Sequence, residues 1–267
     1  MADWPGSLLV FGCGNMGGAM LAGWLAGGLD PARISIVDPL LGEVPAGVSL
    51  LRELPRRSFD AILLGVKPQL LDQVTPALAP LAGAETVLIS ILAGVELGSL
   101  SARFPQAKAV VRVMANLAAA IGKSPVALYA RGLDAAEKLA VSALMAPLGA
   151  PEWLDDESQF DLVTGLVGSG PAFVYRFVDA LAQGAAALGL TNEQAERMAV
   201  AMVEGAAALA AASPHSPGEL ARRVASPGGV TQVGLDVLDA DGALARLVEA
   251  ALKGAAEHGA EMARAAR

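Results

Sequence analysis

Six residues, Gly12-Cys13-Gly14-Asn15-Met16-Gly17, fall directly between a short apolar run at 7–11 and a helical pattern from about 15 to 27. That junction constrains the fold most, because it sets a strand, a tight turn and a helix in immediate succession. The spacing gives each glycine a task. Gly12 permits the turn, Gly14 lets the backbone approach a pyrophosphate, and Gly17 lets helix and strand pack closely. The N–H groups and positive dipole of the new helix then face the phosphates. Cys13 reads as a small apolar filler within the loop. Glycine-rich turns are common, so the weight comes from context, including Asp38 at the end of the second apolar run. A carboxylate there accepts hydrogen bonds from both ribose hydroxyls and repels a 2′-phosphate. No Arg or Lys follows among Pro39, Leu40, Leu41 and Gly42, so NADH is expected over NADPH. The plainer alternative makes Asp38 a turn residue before Pro39.

Further apolar runs at 34–37, 61–66, 86–91 and 107–113 alternate with helical segments, and 126–129 and 152–154 could add edge strands. Buried strands separated by helices predict a parallel, doubly wound sheet. Asp134 suits a cap for a helix over 134–148. After about Asp156 the pattern is helical only. A long helix is expected over 161–188, broken by Gly165, Gly168, Gly170 and Pro171, with Asp155, Asp156 and Glu157 capping it. Thr191 and Gln194 form a capping box that opens a helix to about Ala212. Proline-bearing breaks at 213–217 and 226–229 punctuate the shorter helices that follow, and the last helix starts near Gly242. The expected architecture is α/β: a Rossmann-type doubly wound sheet at 1–157, followed by an all-α domain at 158–267.

Composition narrows the partners. Apolar residues make up 54% of the 267 and charged ones 17%, which points to a homo-oligomer burying whole helix faces between subunits. A net charge of −8 and no basic run longer than a pair argue against nucleic acid. Uncharged helical stretches such as 162–175 are too short to span a bilayer. One cysteine suits a reducing cytoplasm, and two distant histidines with no HExxH or CxxC suggest no metal site.

Two later motifs carry chemistry. In 163–173, small residues and Pro171 near the start of the long helix allow backbone to approach a flat ligand such as nicotinamide. Spacing alone favours tight helix packing instead. Ser226-Pro227-Gly228-Gly229-Val230-Thr231 presents free N–H groups at a helix start, which suits a carboxylate, though it reads equally as a plain helix N-terminus.

With these motifs in order along the chain, the sequence resembles the pyrroline-5-carboxylate reductase family. The matching residues include the 12–17 loop, Val66-Lys67-Pro68, Ser90-Ile91-Leu92-Ala93-Gly94-Val95 and Val111-Arg112-Val113-Met114. Gly168-Ser169-Gly170-Pro171-Ala172 and Ser226-Pro227-Gly228-Gly229 complete the set. The resemblance implies NAD(P)H-dependent reduction of a cyclic imine acid, 1-pyrroline-5-carboxylate, to proline. It implies that Val66, Lys67, Pro68, Ala93 and Gly94 line the cofactor, with Asn116 near the nicotinamide and Ser49 on the adenosine side. Ser169, Gly170 and the turn at 228–231 would hold the substrate, with the Thr231 hydroxyl near the imine nitrogen. It further implies a homodimer through the C-terminal helices, assembled as five dimers into a decamer.

Three departures stand out. Met114-Ala115-Asn116-Leu117-Ala118 replaces the common Met-Pro-Asn-Thr-Pro, Val230 stands where Thr is frequent, and Asp38 replaces Ser, Asn or Arg. Lys67 reads as a strand-end residue aiding the cofactor rather than a catalytic acid, and His215 and His258 as solvent-facing. Other readings are a reductase of a different cyclic imine, a 3-hydroxyacid dehydrogenase-like enzyme, and a non-catalytic NAD(P) sensor. The second needs a base, usually a Lys on the long helix, and none lies between Gly168 and Arg197.

Overall fold

The structure is a computed structural model that describes residues 4–265. Its N-terminal part is an eight-stranded sheet. The strands are β1 (Leu8–Phe11), β2 (Ile34–Val37), β3 (Ser49–Leu51), β4 (Ala61–Leu64), β5 (Val87–Ser90), β6 (Ala109–Met114), β7 (Ser124–Ala130) and β8 (Gly149–Trp153). Helices α1 (Asn15–Ala26), α2 (Leu71–Leu78), α3 (Leu97–Arg103) and α4 (Ala135–Met145) connect them. The order is β3-β2-β1-β4-β5-β6-β7-β8, parallel except that β7 runs antiparallel to β6. Chain direction along the sheet reverses between β1 and β4, which opens a crevice at their carboxyl ends.

Alternation along each strand splits the core into two layers. Leu8, Val10, Ile34, Ile36 and Leu63 pack with Met20 and Trp24 of α1 and Leu144 and Met145 of α4. Leu9, Ile62, Leu64 and Leu88 face the other way, onto Leu71, Leu78, Leu100, Phe104 and Phe160. Each such side chain, taken fully out of water, contributes about 1.5–3 kcal/mol. The Trp24 indole N–H donates to the Leu144 carbonyl at 2.8 Å, so the largest core residue leaves no polar atom unpaired.

β3 is absent from the sequence expectation. Three residues with exposed Ser49 at the head carry no alternation long enough to register. The expected caps are present: Asp134 with Glu137 and Thr191 with Gln194 each form a full capping box. The expected 161–188 helix is three pieces: α5 (Phe160–Val163), a π-helical turn (Thr164–Ser169) and α6 (Gly170–Ala187). Of the acids expected to cap it, Asp156 caps a 3-10 turn at Glu157–Gln159. Glu157 is a correction: its carboxylate turns inward. Oε1 accepts from the Leu97 N–H at 2.6 Å and from Arg112 Nη1 at 2.8 Å, and the Arg112 guanidinium lies 3.9 Å above the Phe160 ring. The side chains of Arg112 and Glu157 are 4% and 19% exposed, so a buried cation prevailed over a helix end in solvent.

α7 (Asn192–Ala212), α8 (Pro217–Val224), α9 (Val230–Asp239) and α10 (Ala243–Ala265) complete the chain. Two compact units result: residues to Gly168 with those from Gly254 onward, and Ser169–Lys253. In the second, α6 packs on α7, and Phe173, Val174, Tyr175 and Phe177 stand exposed on α6. Among the described residues, no helix is long and apolar enough to cross a membrane.

Candidate active site

The carboxyl ends of β1 and β4 meet through glycine backbones. Gly12 has φ +86°, and a Cβ there would lie 2.8 Å from the carbonyl carbon of Gly65 and the nitrogen of Val66. Gly65, just past β4, is as constrained: its Cβ would fall 2.5 Å from the Gly12 oxygen. Gly17 sits over the same oxygen, with 2.9 Å for a Cβ, so α1 starts as close to β1 as backbone allows. Gly14 is different. Nothing lies within 4 Å of its missing Cβ, it is exposed, and it begins α1 without a side-chain cap. Free first-turn amides and open space therefore meet at one point, which fits the pyrophosphate of a dinucleotide.

Asp38 anchors this loop. Oδ2 accepts from the Cys13 N–H at 2.7 Å and Oδ1 from the Leu40 N–H at 2.8 Å. The second bond is the turn role, so a ribose would compete for the remaining lone pairs of a carboxylate already engaged. Burial, with the Asp38 carboxylate adding to it, pushes the Cys13 thiol from 9.0 up to about 11. The folded protein therefore keeps a proton that the unfolded chain loses above pH 9, and the stability this group contributes fades as pH rises through about 11. At pH 8, iodoacetamide should label Cys13 about a hundredfold more slowly in the folded protein than in urea, a ratio readable by mass spectrometry. Equal rates would contradict the protected-thiol account.

Val66, Lys67 and Pro68 follow Gly65 at the same edge; Lys67 is exposed and leads into the 3-10 turn Pro68–Leu70. Ala93 and buried Gly94, with φ +72°, follow β5. Asn116 follows β6, and its side chain is committed: Oδ1 accepts from the Ala118 N–H and Nδ2 donates to the Val167 carbonyl, both at 3.0 Å. That carbonyl belongs to the π turn, where the backbone ladder is shifted. The Asn116 backbone N–H donates to Ser124 Oγ at 3.0 Å. Gly168 completes the contact, with 3.4 Å between a Cβ and Met114 Sδ, so the glycine serves close packing here. Ser49 does not join this group. It pairs with Ser35, which pairs with Leu9, two residues short of the carboxyl edge.

Within the helical unit, Ser169 precedes α6, and Gly170 begins it with Pro171 next. Gly228 has φ +71°, Gly229 donates to the Ser226 carbonyl at 2.9 Å, and α9 starts at Val230 without a side-chain cap. Val230 is 92% exposed and Thr231 half-buried. The turn thus ends in uncapped helix amides beside a hydroxyl, an arrangement able to take a carboxylate. His258 is exposed beside Glu261, but His215 is half-buried, which corrects the solvent-facing expectation; its backbone N–H donates to Ser213 Oγ at 3.0 Å.

Sequence reasoning missed Gly65, whose signal was a lone glycine between a buried run and Val66-Lys67-Pro68. It also missed Arg52, whose Nη1 and Nη2 donate to the carbonyls of Leu41 and Gly42 at 2.9 and 3.4 Å. Nothing local marks that residue.

Known proteins resemble this chain throughout. Residues 157–262 match the family model described as pyrroline-5-carboxylate reductase dimerisation. The pyrroline-5-carboxylate reductase of Pseudomonas aeruginosa is 36% identical over 264 residues, 96% of each chain. That of Methanosarcina acetivorans is 34% identical over 91% of this chain and 93% of its own. The Coxiella burnetii pyrroline-5-carboxylate reductase structure superposes with a TM-score of 0.88 at 29% identity, covering 97% of this chain and 98% of that one. A Plasmodium falciparum pyrroline carboxylate reductase with NADP bound shares the fold, at TM-score 0.82 and 24% identity, over 96% of this chain and 98% of its own.

Proposed function

The chain belongs to the pyrroline-5-carboxylate reductase family, and on that premise we propose that it reduces 1-pyrroline-5-carboxylate to L-proline with NADH or NADPH, the last step of proline biosynthesis. The observation that carries this reading is 36% identity to the Pseudomonas enzyme across 96% of both chains, which takes in the glycine cradle and the 226–231 turn together.

A reduced nicotinamide, when bound, supplies the hydride. The rest of the task is positional, because a protonated imine is already electrophilic at carbon. Gly12, Cys13 and Gly14 shape the loop that brings the pyrophosphate onto the first-turn α1 amides of Asn15, Met16 and Gly17. Asp38 serves the adenosine side and favours NADH. Val66, Lys67, Pro68, Ala93 and Gly94 line the nucleotide. Asn116 acts near the nicotinamide through the turn it holds at Val167. Gly228, Gly229 and Val230 take the substrate carboxylate, with Ser169 and Gly170 against the ring. The Thr231 hydroxyl oxygen accepts a hydrogen bond from the N–H of the protonated imine, or the hydroxyl relays to a neutral imine nitrogen the proton that makes its carbon electrophilic. Thr231→Ala should therefore lower kcat/KM about tenfold or more with melting unchanged; full kcat/KM would remove the role.

Homo-oligomerisation follows from the dimerisation segment. The exposed apolar side chains of α6 suit a homodimer, and five dimers would make a decamer. One cysteine in the chain fits the cytoplasm. Expression in a bacterium that lacks this reductase and needs added proline should restore growth without it. Absence of growth, with the protein present and folded, would count against the assigned reaction.

A further inference from the structure

The loop after Asp38 has no cation of its own, but the sheet delivers one. β3 runs parallel to β2 with Val37 beside Leu51, so Asp38 and Arg52 leave the sheet on neighbouring strands at its carboxyl edge. Arg52 then folds onto the loop, donating to the Leu41 and Gly42 carbonyls at 2.9 and 3.4 Å. Those bonds fix the guanidinium beside the residues that follow Asp38 and leave part of its five-donor fork in solvent. Asp38 meanwhile spends both oxygens on the Cys13 and Leu40 amides, which offsets part of its charge. Arg57 is directed elsewhere, to Ser35 Oγ at 3.3 Å and over the Phe59 ring at 4.7 Å.

We propose that Arg52 determines cofactor specificity: it supplies the positive charge that lets the adenosine end accept a 2′-phosphate despite Asp38, so the protein uses NADP(H) as well as NAD(H). The inference rests on the dinucleotide reading above. A phosphate at the ribose 2′ position is a dianion near neutral pH, and a planar fork with free donors is the side chain best matched to it. The same charge does little for a neutral 2′-hydroxyl. Arg52 should therefore act on the difference between the two nucleotides rather than on both alike.

Isothermal titration of the full-length protein with NAD⁺ and NADP⁺ tests this without turnover. Arg52→Gln keeps an amide donor for the loop carbonyls and removes the charge; Arg52→Ala removes both. Both variants should weaken NADP⁺ relative to NAD⁺ by about tenfold, the scale of one charge-assisted contact at a partly exposed site. Arg52→Lys should recover part of that ratio, and the NADP⁺ affinity of the wild type should fall more steeply with salt than that of Arg52→Gln. A ratio unchanged within about twofold in Arg52→Gln, or equal weakening of both nucleotides, overturns the assignment to Arg52 while leaving the nucleotide site intact. Wild-type protein that binds neither nucleotide overturns the dinucleotide reading itself, and this inference with it.

Discussion

Gly12→Ala is expected to lower the apparent Tm by about 10 °C and to weaken dinucleotide binding about a hundredfold. Two costs act together. A side chain at φ +86° sits in backbone space that L-residues rarely adopt, worth about 1–3 kcal/mol. The new Cβ must also clear Gly65 and Val66 backbone atoms 2.8 Å away, and backbone cannot rotate aside as a flexible side chain can. The carboxyl ends of β1 and β4 must separate, which spoils both the sheet and the turn. Gly14→Ala is the control: its Cβ meets nothing within 4 Å and its φ is −70°, so the protein should melt normally. That methyl would instead project into the space offered to the pyrophosphate, and binding alone should suffer. Calorimetry and nucleotide titration of the two variants separate the cases. Equal melting of Gly12→Ala and wild type would contradict the cradle.

Glu157→Ala should cost about 3–5 kcal/mol, the scale for stranding one member of a buried ion pair. Arg112, with its side chain 4% exposed, would keep its charge and the Phe160 ring but lose its carboxylate, and the Leu97 N–H would lose its acceptor. Glu157→Gln retains an oxygen in the place of Oε1, which accepts from both donors, and loses only the charge, so it should cost noticeably less. The consequence reaches the site, because β6 leads to Asn116 and Glu157 precedes the helix whose π turn Asn116 holds. Denaturant unfolding of both variants, with kcat/KM alongside, checks the account. A loss below about 1 kcal/mol in Glu157→Ala would contradict it.

The features legible in the sequence were those with local causes. Strand, glycine loop and helix are contiguous at 7–27, and the caps at Asp134 and Thr191 lie within four residues of their partners. What stayed hidden depends on distant chain. Glu157 looked like a cap because its partner Arg112 is 45 residues away, and one exposed acid in a run reads like another. Arg52 reaches the Asp38 loop only through β2–β3 register, and β3 was itself too short to detect. The π turn leaves little trace beyond its glycines, since it differs from a helix in hydrogen-bond spacing rather than residue type. Gly65 could have been found by asking what Gly12 packs against.

The most direct test of the assigned reaction is to mix the purified protein with 1-pyrroline-5-carboxylate and follow NADH and NADPH absorbance in parallel, with proline measured in the product. Oxidation that depends on the imine, yields one proline per nucleotide and runs with both cofactors is the predicted result. Protein that binds the nucleotide yet oxidises neither form in the presence of the imine would contradict the central claim.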